Sequence, residues 1–96
     1  MFKRKGVASP SRKEIIEKVR TILVNQLHAS LEEITMGASL VKDLRADELD
    51  SVEIPMVIEK EFDIEIPDED TDKLFAEEGT VGSLIDYVEK RLTAKV

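Results

Sequence analysis

Hydroxyls, carboxylates, lysine amines and one imidazole are the reactive groups available to this chain, because its 96 residues include no cysteine and a single histidine. Without a thiol there can be no disulfide framework, thiolate metal site or cysteine nucleophile, so sulfur chemistry would have to arrive on a cofactor. His28 would need a nucleophile on one side and an orienting group on the other to act as a catalytic base. Nothing beside it marks such partners, and it reads as a loop-edge residue. Asp68, Asp70 and Asp72 alternate like the opening of a calcium loop, but such a loop needs glycine at its sixth position and glutamate at its twelfth. Those positions hold Lys73 and Gly79. No metal site is expected there, and the three acids read as the solvated start of a short helix, favoured by its dipole. The glycines at 6, 37, 79 and 82 are too scattered to cradle a phosphate. Paired carboxylates abound, yet they sit in a chain of net charge −7 and share no evident enclosed pocket. The inventory points away from an enzyme.

The charge is unevenly placed. Residues 1–20 hold seven Lys/Arg against Glu14 and Glu17, whereas residues 43–72 hold thirteen Asp/Glu against Arg45 and Lys60. An acidic pole of that density repels nucleic acid phosphates, so no nucleic-acid role is expected. It suits a basic protein surface, since complementary potentials speed and orient docking. No apolar run approaches the roughly 20 residues of a membrane-spanning helix. No apolar stretch follows the basic MFKRK segment either, so a secretory signal is not expected and a cytoplasmic location is.

The elements that must position these groups follow from apolar spacing. Residues 1–10, with Gly6, Ser9 and Pro10, read as a flexible basic tail, 11–93 as one folded domain and 94–96 as a C-terminal tail. Ser11 and Glu14 fit a capping box, and Ile15, Ile16, Val19, Ile22, Leu23 and Leu27 then recur on one helical face. Residues 28–45 carry apolar residues without a period and read as a long loop on the core. Asp47 is a good N-cap for a second helix to about Phe62, with Asp50 at its third position and Leu49, Val52, Met56 and Phe62 expected to face inward. Pro55 should kink that helix. A short helix from Asp68 precedes Gly79, and Thr80 caps a last helix striped by Val81, Leu84, Ile85, Val88 and Leu92. The expected fold is all-α: three main helices plus a short one, with Leu23, Leu27, Leu49, Val52, Met56, Phe62, Ile66, Leu84, Ile85 and Val88 in the core and Tyr87 less buried.

Asp43-Leu44-Arg45-Ala46-Asp47-Glu48-Leu49-Asp50-Ser51-Val52-Glu53, with Met56, Glu61-Phe62-Asp63 and Glu65-Ile66-Pro67-Asp68-Glu69, closely resembles the acyl carrier protein family of fatty-acid synthesis. The likeness extends in order from about residue 12 to 92. It implies a four-helix bundle whose interior opens to sheath an acyl chain, with Met56, Ile58, Phe62, Ile66 and Leu74 around the cavity. It also implies an acidic second helix that docks a monomer on basic patches of acyl-processing enzymes, through Asp50, Val52, Glu53, Met56 and Glu59.

The family attaches 4′-phosphopantetheine to the serine of an Asp-Ser-Leu tripeptide, and here that tripeptide is Asp47-Glu48-Leu49. Glu48 has no hydroxyl, so the phosphodiester cannot form there and no thioester can be held. Three readings stay open: a carrier that keeps fold and docking face but cannot be loaded, a carrier modified at Ser51 three residues on, and a structural or regulatory protein using the same fold. Other departures are Lys60 within the acidic run, Pro55 in place of a plain apolar residue, and an apparent insertion, Phe75-Ala76-Glu77-Glu78, beside the short helix.

Overall fold

The computed structural model describes residues 10–95, so the basic segment assigned to a flexible tail lies, up to residue 9, outside the described residues. Four helices follow one another, α1 (Arg12–Leu27), α2 (Glu48–Phe62), α3 (Asp68–Leu74) and α4 (Val81–Lys95), with a single 3-10 turn (Leu31–Glu33) in the long α1–α2 loop. The last helix thus continues through residues 94 and 95. No strand occurs among the described residues beyond one isolated bridge between Ser39 and Thr80.

Each boundary has a local cause. Ser11 Oγ accepts from the Glu14 N–H at 3.2 Å while Glu14 Oε1 accepts from the Ser11 N–H at 3.1 Å, closing the expected capping box. α1 ends where His28 turns into the left-handed region at φ 57° and donates its N–H to the Val24 carbonyl. Thr80 and Ser83 exchange side-chain bonds with each other's N–H at the start of α4, at 2.9 and 3.1 Å. Ile15, Val19, Ile22 and Leu23 of α1 meet Val81, Leu84, Ile85, Val88 and Leu92 of α4 and Ile54, Ile58 and Phe62 of α2 in one core. Arg12 fastens α1 to α4 through Asp86 and Glu89, and Lys18 fastens α1 to Glu61 of α2.

The long loop lies on this core by burying Ile34, Ala38, Leu40 and Leu44. Arg20 holds it from α1, donating to the carbonyls of Ile34 and Leu31 at 2.9 and 2.7 Å. On its other side it is zipped to the α3–α4 connection: Leu40 N–H donates to the Gly79 carbonyl, Val81 N–H to Ala38 and Gly82 N–H to Met36. Gly79 is obligatory there, since a Cβ would stand 2.0 Å from the Leu74 carbonyl oxygen. Residues 75–78, read above as an apparent insertion, are part of this zipper. Ser39 Oγ donates to the Glu77 carbonyl, Lys42 pairs with the Glu77 carboxylate at 3.7 Å, and Phe75 is half-buried against the core.

The expected inward face of α2 is overturned. Leu49, Val52 and Met56 do not face inward; they are 61%, 58% and 52% exposed, while Ile54, Pro55, Ile58 and Phe62 are buried. At about 100° per residue, the helix carries two apolar stripes centred roughly 150° apart, and only one can meet α1 and the loop. Ile54, Ile58 and Phe62 follow an i, i+4, i+8 row of bulky side chains, and that row wins. Pro55 lies inside a helix that runs on unbroken to Phe62, so the segment is one helix, as expected. Leu27 is only half-buried at the core's edge, as is Tyr87.

Candidate functional site

The start of α2 is delivered by a chain of short-range bonds. Ser39 N–H donates to Asp43 Oδ2 at 2.7 Å, Leu44 N–H to the Ser39 carbonyl, and Ala46 N–H to the Leu40 carbonyl, burying Ala46 and presenting Asp47 at the rim. Arg45 takes φ 61° to make the last bend. Asp47 Oδ1 then accepts from the Asp50 N–H at 2.9 Å, and Asp50 Oδ2 accepts from the Asp47 N–H at 3.0 Å. The backbone N–H of Asp50 is the main reason that the Asp47 carboxyl is held below the ordinary carboxylate value, although it is exposed.

Glu48 is the first residue of α2. Its side chain is exposed, and among the described residues it has no hydrogen-bond or ion-pair partner. Ser51 is half-buried one turn on, and its hydroxyl donates to the Glu48 carbonyl at 2.7 Å. The one hydroxyl near the helix start is therefore turned back onto the backbone. A phosphopantetheine arm does not fit position 48, which supplies a carboxylate where an attacking hydroxyl is required.

Two open pockets run along the α2–α3 side and share Ser51, Thr71 and Asp72. One, of about 260 Å³, lies by Glu48 between Val41, Ala46 and Phe75. The other, of about 510 Å³, continues past Val52, Pro55, Met56, Glu59 and Ile66. Together they form a groove rather than an enclosed cavity. Of the residues expected around an acyl cavity, Ile58, Phe62, Ile66 and Leu74 are buried, and Ile66 also reaches the groove wall. Met56 is the exception, half-exposed at the rim. Thr71 was not singled out by the sequence, Asp72 was read only within the acidic start of α3, and Phe75 only within the apparent insertion beside it.

Of the predicted docking residues, Val52, Glu53 and Met56 are exposed along α2 beside Leu49. The other two carboxylates have work within the fold. Asp50 closes the capping box, and Glu59 Oε2 accepts from the Ile66 N–H at 2.7 Å, fixing the α2–α3 connection. Asp70, in α3, accepts from the Tyr87 hydroxyl at 2.6 Å, so α3 is tied to α4. Burial, helped by that bond, pushes the Tyr87 phenol up to about 12. Among the described residues, no three His, Asp or Glu side chains gather closely enough to hold a metal ion.

A helical bundle whose long loop presents an Asp-capped helix start, with an acidic, apolar-striped second helix behind it, defines the class of phosphopantetheine carrier domains. Residues 17–88 match the family described as "Phosphopantetheine attachment site". The acyl carrier protein of Thermosynechococcus vestitus is 42% identical over 84 residues, covering 88% of this chain and 99% of that protein. The structure is similar to that of the acyl carrier protein from Enterococcus faecalis, with a TM-score of 0.70 and 33% identity, covering 85% of this chain and 99% of that one. The chain belongs to the acyl carrier protein family, whose members are carriers and not catalysts and whose prosthetic group is 4′-phosphopantetheine. No helix among the described residues is long and apolar enough to cross a membrane.

Proposed function

We propose that this chain is an unloaded carrier-type module of fatty-acid or related acyl biosynthesis, a cytoplasmic monomer that docks on basic surfaces of acyl-processing enzymes through the exposed face of α2. The observation that carries the reading is the conjunction at α2: the helix start and its exposed Leu49, Val52, Glu53 and Met56 are intact, while the residue between Asp47 and Leu49 is a carboxylate. Asp50 and Glu59, expected on the same surface, add to its field while serving the fold. Modification at Ser51 is disfavoured because its hydroxyl is bonded to the Glu48 carbonyl and lies a turn away from the helix start.

The test is chemical. Incubated with a broad-specificity phosphopantetheinyl transferase, coenzyme A and Mg²⁺, the protein should keep its intact mass. The Glu48→Ser variant should gain one arm and one titratable thiol, a clean signal in a chain without cysteine. Modification of the unaltered chain, mapped to Ser51, would defeat the unloaded reading. Failure of the serine variant would mean that the recognition face has diverged as well, favouring a structural or regulatory role.

A further inference from the structure

Glu48 is more than a missing hydroxyl. A serine bearing the arm places a phosphorus atom three bonds from Cα with a single negative charge, whereas a bare serine at that position is neutral. Glutamate places its carboxylate carbon three bonds from Cα, also with a single negative charge. In this chain that carboxylate projects from the first residue of α2, exposed and without a partner among the described residues. Helical spacing puts Glu48 about 40° round the axis from Val52 and about 20° from Glu59, at the border of the exposed apolar stripe. A basic surface complementary to that stripe would meet a charge at the helix start, as it does with a loaded carrier.

We infer that Glu48 makes this chain a charge mimic of the loaded carrier, occupying the basic carrier-docking surface of an acyl-processing enzyme as a competitor that delivers nothing. The inference rests on the docking reading above and adds to it the role of position 48. The fold supports a permanent rather than conditional mimic, because the helix start is closed by Asp47 and Asp50 without any help from Glu48. The surface that would be engaged carries Leu49, Val52 and Met56 in water, and the free carboxylates beside it, Glu48 and Glu53, leave it negative. Charge complementarity therefore selects a cationic partner face.

The experiment is a competition. A purified acyltransferase that moves malonyl groups from coenzyme A onto the free thiol of a carrier arm, releasing coenzyme A, is assayed with an acyl carrier protein bearing the unacylated arm as substrate and this protein, full length, as inhibitor. Inhibition should be competitive with the carrier, raising its apparent KM at constant kcat, and should weaken with salt. Glu48→Gln, which keeps the side chain's size and removes its charge, should inhibit roughly two- to fivefold less well at low salt, as expected for one exposed charge contact. A Glu53→Lys/Met56→Ala variant should lose inhibition altogether. Equal inhibition by Glu48→Gln and the unaltered chain, with loss in the double variant, would overturn the mimic and leave docking standing. Inhibition unchanged in the double variant, or absent throughout, would overturn docking and the inference with it. Helicity by circular dichroism, equal in all three, excludes misfolding as the cause.

Discussion

Truncating Ile58 and Met56 to alanine, two residues apart on one helix, should have opposite consequences for stability and binding. Ile58 is fully buried, and its change removes about three methylene-sized groups from the core, worth roughly 0.8 kcal/mol each by transfer alone. With the residual cavity, the loss should reach about 3 kcal/mol, within the range of about 2–5 seen for such truncations. At roughly 4–8 °C per kcal/mol for a domain of this size, Tm should fall by at least about 10 °C. Met56 is 52% exposed, so about half of its transfer term is already forgone in the native chain. Alanine also has the higher helix propensity and no side-chain entropy to lose, so the net cost should stay below about 1 kcal/mol. Urea and thermal unfolding followed at 222 nm measure both. If Met56→Ala costs as much as Ile58→Ala, the phase assigned to α2 is wrong and the apolar docking stripe does not exist.

Gly79→Ala should destabilise by about 2 kcal/mol or more, because its Cβ would sit 2.0 Å from the Leu74 carbonyl oxygen and force apart the zipper that includes the Leu40 bond; a Tm within a few degrees of the unaltered chain would show that the connection yields freely. Tyr87 is the only tyrosine, so its absorbance at 295 nm reports one group, whose midpoint should lie at about 12 and move down in Asp70→Asn. Since the folded value is raised above the ordinary 10.0, the stabilisation tied to the protonated phenol is complete below about pH 10 and is lost as pH rises through 12. A midpoint near 10 in the folded protein would refute the α3–α4 tie.

The helix ends and the α1 and α4 stripes were legible because each has one strong local signal. Ser11 with Glu14, Asp47 with Asp50, and the unambiguous row from Val81 to Leu92 leave no competing phase. α2 was misread because its sequence offers two apolar rows and periodicity alone cannot say which one has a neighbour to bury it. Leu49, Val52 and Met56 fit the spacing as well as Ile54, Ile58 and Phe62, and only the approach of α1 and the long loop decides between them. The double duty of Glu59 was invisible for a similar reason: its partner, the Ile66 N–H, is set by how the chain turns after α2. The loop itself looked unstructured because its order comes from long-range backbone bonds, Leu40 to Gly79 and Gly82 to Met36, for which a single sequence carries no period.

The division of the acidic residues explains how fold and loading can be separated in this chain. Asp47, Asp50 and Glu59 each accept a backbone N–H, so removing any of them strips a partner from a helix end or a connection. Position 48 contributes its backbone to the helix and nothing from its side chain, and a carboxylate in the first turn lies favourably toward the helix dipole. Serine can therefore be replaced by glutamate there without disturbing the bundle. Leu49, Val52 and Met56 are the converse case. Three large apolar side chains held in water on one helix face add little to the stability of the isolated chain, which is what the docking proposed above requires of them. On the function proposed above, a chain with a carboxylate at position 48 and that surface exposed acts through what it binds, and the competition assay is the measurement that decides it.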